Sequence, residues 1–133
     1  MTSSNIFERN HLGNTTEENE KYVLIWKFTN HFVFYFIEAP GPPIKANVTQ
    51  VGLASAKYTW GTPTYDYRIR AYQIEYGIWK MRPEPLQNTS DASNTYLLSN
   101  LESGTEYAIR VRAITEHEVL GKWTTKTSFV TGK

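Results

Sequence analysis

From Pro42 onward the apolar residues fall at every second position, in short runs separated by turn-forming residues. Ile44, Ala46 and Val48 share one face of their run, and Ala56, Tyr58 and Trp60 share one face of the next before it stops at Gly61-Thr62-Pro63. Tyr72, Ile74 and Tyr76 alternate with outward Gln73 and Glu75. Trp79 opens a shorter run broken by Pro83 and Pro85, and Tyr96 with Leu98 marks a brief one before Asn100. The cleanest alternation is Tyr107, Ile109, Val111, Ala113, with Arg110 and Arg112 on the opposite face; Trp123, Thr125, Thr127 and Phe129 close the series. Side chains of an extended strand alternate between faces, so these runs predict seven strands with one buried face each. No stretch keeps a period of 3.6. The pattern predicts an all-β, two-sheet antiparallel sandwich over residues 40–133.

The first 39 residues are patterned differently. Residues 1–20 are polar, rich in Asn, Thr, Ser and Glu, a composition that predicts disorder to about residue 20 and an irregular N-terminal extension. An aromatic and apolar run then spans 22–37, interrupted by Lys27 and by Thr29-Asn30-His31. It falls short of the roughly 20 largely apolar residues a membrane-spanning helix needs. It also begins after acids rather than bases, unlike a cleaved export signal. Three readings stay open: a β-hairpin or strand remnant, a poor signal anchor, or a stretch outside any native structural unit. Ala39-Pro40-Gly41-Pro42-Pro43 is stiff and helix-excluding, and it marks the boundary between the extension and the domain.

Charge supports the same division and narrows the function. Residues 1–39 carry three basic against five acidic side chains, and residues 40–133 carry eleven against eight. The formal net charge of +1 provides no basic stripe for nucleic acid. With 133 residues and no cysteine, the chain has no disulfide, no thiolate zinc site and no thiol nucleophile. Nothing matches a phosphate-binding loop, a nucleophile elbow or the HExxH spacing, so no catalytic, metal or cofactor site is expected. Glu116-His117-Glu118 superficially suggests a metal cluster, yet neighbours on a strand point to opposite faces and neighbours in a loop lack fixed geometry.

Several pieces, in order, resemble the fibronectin type III domain over about residues 42–131. Pro42-Pro43 stands before the first strand, and Trp60 ends the second with Pro63 shortly after. Tyr72-Gln73-Ile74-Glu75-Tyr76 looks like the third strand. Leu101-Glu102-Ser103-Gly104-Thr105-Glu106-Tyr107 is similar to the family's Leu-x-Pro-Gly-Thr-x-Tyr corner, with Ser103 where Pro is usual. Arg110-Val111-Arg112-Ala113 and Gly121-Lys122-Trp123-Thr124 follow. The resemblance implies an immunoglobulin-like, seven-stranded sandwich whose core and corner residues are Trp60, Tyr72, Ile74, Leu101, Gly104, Tyr107 and Val111. Gly104 permits a positive φ, and the Tyr107 hydroxyl is expected to satisfy a backbone donor a few residues upstream.

Three groups of surface residues remain as candidate sites. Asn14, Asn47 and Asn88 each begin an Asn-x-Ser/Thr acceptor for N-linked glycans. Asn47 has outward parity, and Asn88 is placed in a polar loop between Pro85 and Thr95. Arg110 and Arg112 are expected to sandwich Trp123, similar to the Trp-Arg ladder of cytokine receptors, although the Trp-Ser-x-Trp-Ser signature is absent. The loop carrying Glu116, His117, Glu118, Val119 and Leu120 could contact a partner; Arg-Gly-Asp occurs nowhere in the chain.

Family resemblance implies a non-catalytic protein-binding and spacer module of an extracellular adhesion or receptor protein, its partners unidentified and neighbouring modules of a tandem array among them. Membrane attachment would come through a parent chain or through residues 22–37. Two alternatives stand beside this reading. One is a cytoplasmic structural module of the muscle-filament kind; the other is an accessory carbohydrate- or matrix-binding domain of a larger enzyme, with Trp79, Tyr65 and Tyr67 as its aromatic platform.

Overall fold

The computed structural model describes residues 3–6, 21–28 and 31–133. The chain divides into two compact units, Met1–Ala39 and Pro40–Lys133. In the first, β1 (Ser3–Ile6), β2 (Lys21–Phe28) and β3 (His31–Glu38) form an antiparallel sheet in the order β1-β2-β3. The β2–β3 register runs from Lys21 opposite Glu38 to Phe28 opposite His31, which is the hairpin arrangement of the aromatic run. Ser3–Ile6 pairs with β2, Ile6 opposite Ile25, so this polar segment is a strand where disorder was expected. Polar composition hid the strand because ladder hydrogen bonds come from the backbone, which every residue carries. Residues 7–20, including Asn14, lie outside the described residues. No helix among the described residues is long and apolar enough to cross a membrane.

The second unit is a seven-stranded antiparallel sandwich. One sheet has the order β4-β5-β8, built from Ile44–Thr49, Ala56–Gly61 and Thr95–Leu98. The other has the order β10-β9-β6-β7, built from Thr127–Val130, Glu106–Thr115, Ile69–Ile78 and Gln87–Asn88. The inward faces meet in one core that includes Tyr58, Trp60, Tyr72, Ile74, Leu98, Ile109, Val111 and Phe129. Trp60 packs between Tyr58 and Tyr72, with ring centroids 5.5 and 5.0 Å away. Fully burying one large aliphatic side chain contributes about 1.5 to 3 kcal/mol, so this alternation is what drives the two sheets together.

The corner between β8 and β9 forms as its residue types dictate. Gly104 takes a φ of 60°, Leu101 is buried, and the Glu102 backbone N–H donates to the Tyr107 hydroxyl at 2.7 Å.

Four local expectations need correction. Ile44 is 50% exposed, because Lys45 adopts a φ of 53° and the β4–β5 register shifts between Ile44 and Asn47. A bulge of this kind breaks the two-residue period. Trp79 starts no strand: with Lys80 at φ 62° it occupies a turn closed by the Met81 N–H donating to the Ile78 carbonyl at 3.0 Å. The seventh strand is instead Gln87–Asn88, which has no apolar residue and pairs through Gln73 and Ile74. Asn88 therefore sits on an edge strand, not in a loop. The last strand begins at Thr127, so Trp123 precedes it; Thr124 binds Val111 in both directions there, through its own N–H at 2.9 Å and its hydroxyl at 3.1 Å.

Candidate functional site

On the outward face of the four-stranded sheet, register places side chains in rows. Gln73 lies opposite Arg112, Glu75 opposite Arg110 and Gly77 opposite Ala108. Arg110 Nε donates to Glu75 Oε1 at 2.9 Å. Arg112 donates from Nε and Nη2 to Gln73 Oε1 at 2.8 and 2.6 Å. Gln73 Nε2 in turn donates to Asn88 Oδ1 at 3.0 Å. Trp123 lies between the two arginines, whose guanidinium carbons are 4.5 Å (Arg110) and 4.3 Å (Arg112) from its ring centroid. A guanidinium on an indole face contributes about 0.5 to 1 kcal/mol at an exposed site. Cross-strand pairs and cation–π contacts thus form a continuous rung from β7 to the segment before β10. Its groups satisfy one another, which marks it first as a stiffener of this face.

Below the rung lies a hollow of about 200 Å³, lined by residues that include Gly77, Ala108, Trp79, Met81, Pro83 and Lys126. Its floor is the Gly77–Ala108 pair, the one outward row in this register without long side chains. Glycine is required at 77 because a Cβ there would stand 2.8 Å from Pro83 Cα. No motif in the sequence marks this hollow. Its signal is two small residues at matching outward positions, visible only once the register is known.

The loop after β9 separates into a buried and an exposed part. Val119 is fully buried and presents no contact, while Leu120 pairs through its backbone with Ile114 and keeps a half-buried side chain. The buried Thr115 hydroxyl organises the loop by accepting the N–H groups of His117 (3.2 Å) and Val119 (3.1 Å). Glu116, His117 and Glu118 then point away from the core. Glu118 takes both Nε and Nη2 of Arg70, at 2.6 and 2.7 Å, and Glu116 Oε1 accepts the Arg68 N–H at 3.3 Å. The pairing with Glu118 raises the Arg70 pKa above its usual value. His117 meets the Tyr67 ring at 5.8 Å, and Tyr67 meets Tyr65 at 5.7 Å. Among the described residues no group of three potential ligands could hold a metal ion.

The aromatic platform is not assembled. Tyr65 and Tyr67 precede the ten-residue β6 and Trp79 follows it, a strand length of about 30 Å. The two tyrosine rings are tilted by 59°, not coplanar as a flat sugar face would require. Asn47 and Asn88 are both exposed.

Comparison with known proteins gives one concordant family. The model described as "Fibronectin type III domain" matches residues 40–130. Among solved structures, the FN5 domain of Drosophila Lar is 22% identical, covering 71% of this chain and 99% of that one, with a TM-score of 0.59. The chicken CNTN1 FN1–FN3 domains are 21% identical, covering 86% and 43%, with a TM-score of 0.62. Domains A168–A170 of titin are 23% identical, covering 91% and 44%, with a TM-score of 0.61. These structural likenesses concern the fold.

Proposed function

The chain belongs to the fibronectin type III family, and from that premise we propose that residues 40–133 serve an extracellular adhesion or receptor protein. In this role the domain binds protein and sets the spacing between its neighbours, without catalysis. The family supports the general binding and spacing role. The extracellular setting rests on one observation: Asn47 and Asn88 head acceptor sequences and are both exposed. A glycan at either position displaces no core side chain. Asn47, on β4, lies opposite Thr59; at Asn88 a glycan joins Nδ2, and Oδ1 keeps the bond it accepts from Gln73.

The test is the mass of the chain recovered from the cells that make it, before and after enzymatic removal of N-glycans. A fall in mass that disappears in part with Asn47→Gln and in part with Asn88→Gln supports the extracellular reading. An unshifted mass on protein recovered from the cytosol overturns it in favour of an intracellular structural module.

A further inference from the structure

We propose that the hollow beside Trp79 is a docking site for an acidic segment of a partner protein, which seats one large apolar side chain between Trp79 and Met81. The inference deepens the protein-binding role and does not depend on the compartment.

Shape is the first argument. Two outward rows of the β6–β9 pair are filled by long side chains that grip each other, and the third is the Gly77–Ala108 row. That row leaves the hollow of about 200 Å³. Pro83 closes over Gly77 as one wall. Trp79 and Met81 stand at the rim 41% and 65% exposed. Solvent-facing tryptophan and methionine at a concave site are the residue types that anchor interfaces.

The turn is the second argument. Lys80 at a φ of 62° fixes the direction in which Trp79 and Met81 leave it, and places the lysine at the lip of the hollow.

Charge chooses the occupant. The lining carries Lys80 and Lys126 against a single acid, Glu75, which is already bonded to Arg110 at 2.9 Å; Glu84, beside the Pro83 wall, and Glu106, the next outward position of β9, lie outside the lining. Carboxylates flanking an apolar anchor would meet Lys80 and Lys126 as the anchor enters the hollow, the arrangement that gives both orientation and rate of encounter.

The experiment titrates the full chain with a labelled peptide carrying one Phe among glutamates, read by fluorescence anisotropy and by amide chemical shifts. Counterparts replace the Phe by Gly or the glutamates by Lys. The Phe–Glu peptide is expected to bind at least about tenfold more tightly than either counterpart, a difference of about 1.4 kcal/mol. Its shifts should centre on Gly77, Ala108 and Lys126. Trp79→Ala should weaken it about tenfold, as should the pair Lys80→Glu and Lys126→Glu, while Arg70→Ala leaves it unchanged. Urea midpoints of the variants establish that each still folds, and Met81→Ser gives an independent lesion at the opposite side of the anchor.

Equal binding of the Phe and Gly peptides overturns the proposal, as does no binding at all. Shifts centred on Arg68 and Arg70 also overturn it. So does a heparin fragment that occupies this face when the peptide does not, since the ligand would then be a sulfated polysaccharide. These readings stand apart from the glycan experiment: an intracellular origin leaves peptide binding intact, and failed peptide binding leaves the glycans intact.

Discussion

The hydroxyl of Tyr107 provides the sharpest test of how the corner is held. Replacing Tyr107 by Phe keeps the ring and its stacking on Phe129, where the centroids are 5.7 Å apart and the planes 17° from parallel. The apolar contribution therefore cancels between wild type and variant. What disappears is the acceptor for the Glu102 N–H, a bond of 2.7 Å. A neighbouring bond holds the same residue from its other side, with the Thr131 hydroxyl donating to the Glu102 carbonyl at 2.6 Å, so the backbone has little freedom to turn the orphaned N–H toward water. An ordinary net hydrogen bond contributes about 0.5 to 1.5 kcal/mol, and a stranded buried donor costs about 1 to 3 kcal/mol. Because Glu102 borders solvent, the expected loss lies between, at about 1 to 2 kcal/mol. With a urea dependence of about 1 to 2 kcal/mol per molar, the midpoint should fall by about 1 M with an unchanged slope. Equilibrium urea unfolding of the full chain, followed by near-ultraviolet circular dichroism, measures this. Hydrogen exchange at the Glu102 amide identifies the cause, since its protection should fall while that of Ile109 and Val111 follows global stability. A midpoint within about 0.2 M of wild type, with Glu102 still protected, refutes the reasoning.

Three further outcomes follow from the same core. Trp60→Ala should cost about 3 to 5 kcal/mol in urea unfolding, whereas Trp60→Phe should cost much less, because it also removes an indole N–H buried without an acceptor; equal losses would refute this. Thr115→Val should destabilise by about 2 kcal/mol and speed exchange of the His117 and Val119 amides, while Thr115→Ser retains both bonds. Burial pushes the Tyr58 phenol above its usual pKa of 10.0, partly offset by its bond to Thr124. Its contribution to stability is present below pH 10 and is lost as pH rises through the raised folded value, so alkaline unfolding should shift to higher pH in Tyr58→Phe.

Strands whose buried residues alternate without interruption were readable from the chain alone. Ala56–Trp60, Tyr72–Tyr76 and Tyr107–Ala113 declare their inward faces because apolar residues alternate there with mostly polar outward neighbours, Ala108 being the exception. The corner was readable because glycine and tyrosine have specific duties there. Legibility ended where backbone geometry overrides composition. Lys45 leaves the extended region and turns Ile44 outward. Gln87–Asn88 joins the sheet by backbone pairing alone. Val119 follows three polar residues in a loop, yet the loop folds back on Thr115 and buries it completely. The hollow at Gly77 and Ala108 needs the register of two strands remote in sequence, which no local pattern contains.

The ends of the sandwich are fastened at opposite extremes of β9. At the entry, the Pro40 carbonyl accepts the Lys122 N–H at 3.0 Å, beside Ala113. At the exit, Thr131 N–H donates to the Thr105 carbonyl at 3.0 Å and Gly132 N–H to that of Gly52 at 2.9 Å. Those two clasps are separated along the strand by about 27 Å. A pull applied through residues 40 and 133 therefore runs lengthwise through the strands and loads the ladder bonds in shear, so that several must fail together. Peeling one strand from an edge would let them fail singly. The same sandwich thus yields readily to a sideways tug and holds against tension along its axis.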